Sequence, residues 1–373
     1  MQSVAGVYIS WPFCAQKCTY CNFASGVLPA ETEAGYLRAV AREIGETRWE
    51  WTPNTIYLGG GTPSRMDTGD LRNLLAQIPG APWREATLEA APGGLSPETV
   101  AAWREAGINR VSLGVQSFVE RELRRTGRRH TAETVARDVD MLRAAGIDNF
   151  NIDLIAALPG QTRQSWSESL DWVRTLEAPH VSVYMLEVDE DSRLGREVLM
   201  NGKRYGEPEV PDDELTVELY ETAVERLAGI GVNRYEISNF ARPGFESLHN
   251  LKYWRLEPYL GFGADAHSFD GRMRWQNVEQ ADEYAARAGR GEGVRTSTVM
   301  ANRAEERFFV GLRLSAGIRP EPEEWERWRE PIERFISEDL LERRGDTLRL
   351  TGRGIIFSNE VLQEFLNGAL TSA

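Results

Sequence analysis

The stretch FCAQKCTYCNF constrains this chain more than any other. It holds Cys14, Cys18 and Cys21, and the remaining sequence of 373 residues contains no further cysteine. Thiolates bind soft metals, and their spacing limits the site they can build. Structural zinc usually takes four ligands, often as two CxxC pairs. Here the spacing is CxxxCxxC, and the nearest histidine in sequence is the distant His130. A 4Fe–4S cluster held by three thiolates leaves one iron without a protein ligand, and that iron can chelate a small molecule through an amine and a carboxylate. The missing fourth thiol is read in this way. A Cys3His zinc site and free structural thiols are the alternatives.

The cysteines follow the first of several β-type runs: VYISW (7–11), TIYLGG (55–60), ATLEA (86–90), RVSLGV (110–115), NFNIDLI (149–155) and HVSVYML (180–186). Helical periodicity lies between most of them. Tyr36, Leu37, Val40, Ile44 and Trp49 share one face. Val100, Trp103 and Ala106 share another, behind a Ser96–Pro97 start signal. Thr131 to Ala145 and Trp166 to Leu176 give two more. Strands that alternate with helices imply parallel pairing. Six units predict an α/β fold, an incomplete (β/α)6 barrel over residues 1–240, with an open doubly wound sheet as the alternative. Loops after barrel strands build the active face. The stretch 187–211 reads as a polar excursion, 212–230 as a helix and YEISNF (235–240) as another strand. Residues 241–300 read as an extension, its part from 270 a connection, and 301–373 as a smaller, mainly helical or winged-helix-like domain with LRLTGRG (348–354) as its wing.

The net charge of −14 argues against a generic nucleic-acid surface, which needs a basic stripe. Arg124, Arg125, Arg128 and Arg129 form a local basic cluster, read either as a solvated helix end or as an anion site. The sequence shows no apolar run of membrane-spanning length and no secretion signal, so a reducing cytosol is expected.

CxxxCxxC with the aromatic Tyr20 beside its last cysteine resembles the radical S-adenosylmethionine superfamily. YISWPFCAQKCTYCNF, YLGGGTPS, LEAAPG, RVSLGVQSF, GRRH, NIDLIAALPGQ and HNLKYW resemble the branch that holds oxygen-independent coproporphyrinogen dehydrogenase and the heme chaperone HemW. The resemblance runs from Val7 to at least Phe269. It implies a 4Fe–4S cluster on Cys14, Cys18 and Cys21, and an S-adenosylmethionine site lined by Tyr8, Tyr20, Gly60, Gly61 and Thr62. Glu89, Gln116, Arg128 and Asp153 are implied to contact that cofactor too. The chemistry suits those roles: Arg128 can pair with a carboxylate, Asp153 can accept from ribose hydroxyls, and Glu89 can attract the cationic end.

Two features favour the HemW side. The dehydrogenase pattern has a further cysteine two positions after the third, where this chain has Phe23. HNxxYW, typical of HemW, is intact as His249, Asn250, Tyr253 and Trp254. One departure is Ser10, which replaces the histidine of the usual YxHxPFC lead-in. His249 is a candidate heme ligand, with a structural or hydrogen-bonding role as the alternative. His267 is read as a fold or site-wall residue, and His130 and His180 are assigned nothing. The resemblance then implies a heme chaperone that binds heme and passes it to a recipient hemoprotein, membrane-bound or respiratory. It would work in the cytoplasm or at the membrane periphery, with an electron donor for its cluster. The alternative is a coproporphyrinogen III dehydrogenase, in which reductive cleavage of S-adenosylmethionine gives a radical that leads to oxidative decarboxylation of propionates. The absent cysteine and the intact HNxxYW weigh against it.

Overall fold

The structure, a computed structural model, describes residues 5–188, 192–200, 202, 205 and 209–366. Six strands lie side by side in chain order: β1 (Gly6–Trp11), β2 (Thr55–Gly60), β3 (Glu85–Ala90), β4 (Arg110–Gln116), β5 (Asn149–Ala156) and β6 (His180–Met185). Every neighbouring pair among them is parallel. A doubly wound sheet reverses its strand order at a switch point. This one does not, which selects the barrel type of the two predicted arrangements.

Alternation along each strand decides what faces where. Ile9, Leu58, Leu88, Leu113 and Ile152 are buried toward the covering helices. Tyr8, Glu89, Gln116 and Asp153 occupy the other face and stay partly accessible. The helices Thr68–Leu75, Pro97–Glu105, Ala132–Ala144, Arg163–Thr175 and Asp213–Ala228 open on Asp67, Ser96, Thr131, Thr162 and Asp212 respectively. Each of those side chains accepts a backbone N–H of the first turn. Such a cap stabilises by about 1 kcal/mol.

The sheet does not close. On the β6 side, β8 (Asn239–Ala241) pairs antiparallel with β6, and β7 (Asn233–Arg234) pairs with β8. The predicted strand over YEISNF is therefore shortened and displaced. The Glu236 carboxylate accepts from the Ser238 amide (3.1 Å) and from the Asn239 side chain, which takes that stretch out of the ladder. On the β1 side the sheet continues through β9 (Tyr259–Phe262), β10 (His267–Phe269), β11 (Met273–Asn277) and β12 (Arg295–Met300). β9 runs parallel to β1 and the next three alternate antiparallel. Residues 270–300 are thus not a mere connection. Every residue of β12 is exposed, so no period-2 burial pattern marks it in the sequence.

The polar excursion at 187–211 lies partly outside the described residues. Its described part holds the helix Arg193–Leu199, whose Leu194 amide donates to the Thr19 carbonyl (2.8 Å). The C-terminal part is mainly helical around Phe308, Trp328 and Phe365, with Phe308 stacked on Phe365 at 4.7 Å. Its hairpin is β13 (Leu341–Arg344) with β14 (Thr347–Leu350), turning at Gly345. The predicted wing falls partly on β14, and from Gly352 the chain is helical.

Candidate functional site

The three cysteines sit on the loop after β1, half-buried. The base of the loop is closed by hydrogen bonds from the Cys14 amide to the Gly26 carbonyl (2.8 Å) and from the Gly26 amide to the Pro12 carbonyl (2.9 Å). Its tip is held where the Thr19 amide donates to the Thr126 carbonyl (3.3 Å). Among the described residues, no three His, Cys, Asp or Glu side chains gather as a mononuclear metal site requires.

The GGGTP turn after β2 is stitched to the same loop. The Gly61 amide donates to the Trp11 carbonyl (2.7 Å) and the Thr62 amide to the Phe13 carbonyl (2.9 Å). A Cβ on Gly61 would stand 2.8 Å from backbone atoms of Trp11, Pro12 and Phe13. Gly60 has φ +111°, a region that favours glycine. The glycines therefore serve first to let the turn lie against the cysteine loop, not only to admit a ligand. Gly61→Ala is expected to cost about 1–3 kcal/mol by overpacking. It should lower the thermal midpoint, whereas Gly26→Ala, where a Cβ meets nothing within 4 Å, should leave it nearly unchanged.

Arg128 joins the cysteine loop to β4. Its Nη1 donates to the Gly114 carbonyl (2.7 Å) and its Nε to the Tyr20 hydroxyl (3.3 Å), and its guanidinium also hydrogen-bonds Cys18. Gln116 has φ +70°, an uncommon backbone state for a side-chain-bearing residue and one that clusters at functional sites. Its amide and the Arg128 guanidinium lie 3.2 Å and 3.6 Å from where a Cβ of Gly114 would be, so Gly114 makes room for both. Of the rest of the arginine cluster, Arg124, which pairs with Glu120, and Arg129 are exposed, and Arg125 is half-buried against Glu209 at 2.5 Å.

Opposite lies a pair of acids set deep in the barrel and still partly accessible. Glu89 accepts from the Tyr57 hydroxyl (2.9 Å) and from the Gly60 amide (3.0 Å), both neutral donors. Burial, and then the charge of Asp153, push its carboxyl up to about 7. Asp153 accepts from Ser112 (3.1 Å) and Asn151 (2.7 Å), and burial raises it as well. Two carboxyls in a low-dielectric interior, both hydrogen-bonded only to neutral donors, form a site that favours a cation. Tyr8 on β1 stacks on Tyr57, with ring centroids 6.1 Å apart. Tyr57, Gly114 and Asn151 were missed in the sequence. Gly114 and Asn151 each stand two residues from a named site position on their strands (Gln116 and Asp153), where the period of two was the available signal; Tyr57, three residues before Gly60, carries no such signal.

His249 is brought to the other end of the barrel. The helix Leu248–Trp254 docks where β2 and β3 begin, with the Glu85 carboxylate accepting from the Leu248 (2.8 Å) and His249 (2.9 Å) amides. The His249 imidazole is fully buried. Its Nδ1 lies 3.0 Å from the Thr55 hydroxyl and its Nε2 2.8 Å from the Tyr253 hydroxyl. Burial, with Lys252 and Arg110 nearby, pushes it down to about 3, so it is neutral. Both nitrogens are engaged, and about 16 Å of strand separates it from the cysteine end. Of the two readings of His249, heme ligand or structural residue, this geometry favours the structural one. His180 is likewise locked between Asn151 (2.6 Å) and Tyr235 (2.9 Å).

Two family models match the chain: the radical SAM superfamily over residues 8–173 and the HemN C-terminal domain over 301–357. The heme chaperone HemW of Lactococcus lactis is 34% identical, covering 98% of this chain and 98% of that protein. HemW of Bacillus subtilis is also 34% identical, over 96% and 98%. HemW of Escherichia coli is 33% identical, over 72% and 71%. Among solved structures, the coproporphyrinogen III oxidase HemN of E. coli superposes with a TM-score of 0.83 at 19% identity, covering 98% of this chain and 90% of that one, a likeness of fold.

Proposed function

The chain belongs to the heme chaperone HemW family of the radical SAM superfamily, and from that premise we propose that it binds heme and delivers it to a hemoprotein. The observation that carries this reading is similarity to HemW over nearly the whole length of both chains. It is supported by Phe23, 66% exposed, at the position where the dehydrogenase pattern has a further cysteine.

Cys14, Cys18 and Cys21 would hold a 4Fe–4S cluster, and the Glu89–Asp153 side of the barrel would take S-adenosylmethionine. Together these groups supply one-electron chemistry when bound. The neutral donors on Glu89 leave its charge free for the cationic end of the cofactor. Asp153 would accept from the ribose. Arg128 holds Tyr20 beside the cysteine loop and offers a guanidinium to the carboxylate. The cofactor set, an electron donor for the cluster, a membrane-bound recipient and work in the cytoplasm or at the membrane periphery are parts of the same proposal. Among the described residues no helix is long and apolar enough to cross a membrane.

The acid pair gives the reading a pH signature. Glu89 in the free site is half ionised near pH 7, and a cation binds its ionised form. S-adenosylmethionine affinity should therefore rise about tenfold from pH 6 to pH 8. Glu89→Gln should weaken binding and flatten that profile, as read by anaerobic isothermal titration. A wild-type affinity independent of pH over this range would remove Glu89 from the cation site.

The function is tested on anaerobically reconstituted protein. Heme titration followed in the Soret band should saturate, and incubation with coproporphyrinogen III, reductant and S-adenosylmethionine should yield no protoporphyrinogen. Protoporphyrinogen formation without heme binding would replace this reading with the dehydrogenase.

A further inference from the structure

We propose that the heme iron is taken by the imidazole of His267 on β10, in the strand extension that continues the sheet beyond Tyr8. This rests on the heme-chaperone reading above and names the ligand within it.

The chain has four histidines, and all lie among the described residues. His180 and His249 have both ring nitrogens engaged at 2.6–3.0 Å. His130 is half-buried, with its Nε2 3.0 Å from the Val115 carbonyl. His267 is exposed, and among the described residues no hydrogen bond engages its ring. The lead-in position that relatives fill with histidine holds Ser10, and the thiols belong to the cluster loop. His267 is thus the imidazole of this chain that an incoming iron can reach.

Its place in the sheet joins it to the cofactor side. Tyr8 lies directly opposite Gly261 in the β1–β9 register. A Cβ on Gly261 would stand 2.2 Å from the His267 carbonyl oxygen, so β10 folds closely over Tyr8's neighbour. The Asp265 carboxylate acts electrostatically on both the Tyr8 hydroxyl and the His267 ring. Two strand spacings put His267 about 10 Å from Tyr8. Partial desolvation by the surrounding strands lowers the His267 ring below its ordinary value even though its edge is exposed, with Asp265 opposing and Arg274 adding to the shift. The neutral ring has the lone pair that iron needs.

The surroundings suit a metalloporphyrin, an apolar disc with two carboxylates at its edge. Phe269, two residues along, is fully buried and supports from beneath the guanidinium groups of Arg274 (4.3 Å) and Arg303 (5.9 Å), so arginine, not the ring, faces an incoming disc. Arg274 is held by Glu306 (2.8 Å). Arg303 is exposed and donates to the Gly271 carbonyl (3.0 Å), which leaves it donors for a propionate. Val299, opposite Arg274 on β12, is 56% exposed and offers apolar contact at the sheet edge.

The test compares anaerobically reconstituted wild type and His267→Ala by heme titration, in optical and electron paramagnetic resonance spectra. The wild type should bind one heme with a histidine-ligated spectrum. His267→Ala should bind at least tenfold more weakly and lose that signature, while iron and sulfide content stay at the wild-type level. Free imidazole should restore the ligated spectrum, which a merely structural role would not allow. If wild type and His267→Ala bind heme with the same affinity and spectrum, His267 is not the ligand and the chaperone reading stands. If the wild type binds no heme, the chaperone reading itself falls and the ligand assignment with it.

Discussion

His249→Ala is expected to destabilise the protein by about 2–4 kcal/mol while leaving the spectrum of bound heme unchanged. The substitution opens a cavity in a fully buried position. It also strips the Thr55 and Tyr253 hydroxyls of their partner. The ring further lies 5.4 Å from Tyr57 and edge-on to Tyr253 at 5.2 Å, contacts that alanine cannot replace. His249→Gln can keep one hydrogen bond and should lose less. The measurement is the urea midpoint of unfolding, paired with a heme titration below the transition. Unchanged stability with lost heme ligation would return His249 to the iron and overturn the buried-plug account of the HNLKYW helix.

Replacing any one of Cys14, Cys18 or Cys21 with alanine is expected to remove nearly all cluster iron and the absorption near 400 nm. Three thiolates are the minimum that anchors three corners of a cube, and the chain contains no spare thiol. Because the turn Gly59–Thr62 is held to the cysteine loop through backbone bonds, the polypeptide around the site should keep its fold. Circular dichroism in the far ultraviolet should therefore match the wild type while iron analysis falls to background. Retention of stoichiometric iron in Cys18→Ala would point to a different ligand set. One zinc per chain in the wild type, with no iron after anaerobic reconstitution, would support the mononuclear alternative.

Much of the fold could be read from the sequence because its signals are local. The cap at Ser96 announces its helix and accepts the expected backbone bond; Thr131 and Thr162, not read as caps in the sequence, cap theirs in the same way. The strands of the barrel carry dense apolar runs because their outward face is wholly covered, as at Val111, Leu113 and Val115. β12 escaped because an edge strand with no buried face has no period to detect. The β8 strand was misplaced because the captor of its neighbouring amide, Glu236, looks in sequence like any strand-flanking charge.

The site divides in the same way. The cysteine spacing is a sequence fact, whereas the engagement of His249 depends on Thr55, distant in the chain and brought beneath it by tertiary packing. Histidine beside tyrosine and tryptophan reads equally as a porphyrin contact or a buried plug until the partners of both ring nitrogens are known. The raised Glu89 carboxyl likewise depends first on its burial in the assembled barrel and then on Asp153 two strands away, neither of which a local pattern reveals.

The central claim is that three thiols hold a cluster whose remaining iron is open to S-adenosylmethionine. It is tested most directly by Mössbauer spectroscopy of the anaerobic protein, reconstituted with iron-57, before and after addition of that cofactor. The account predicts a 4Fe–4S spectrum in which one iron of four is distinct and changes on addition while the other three do not. Four equivalent irons indifferent to S-adenosylmethionine, or no cluster signal at all, would contradict it.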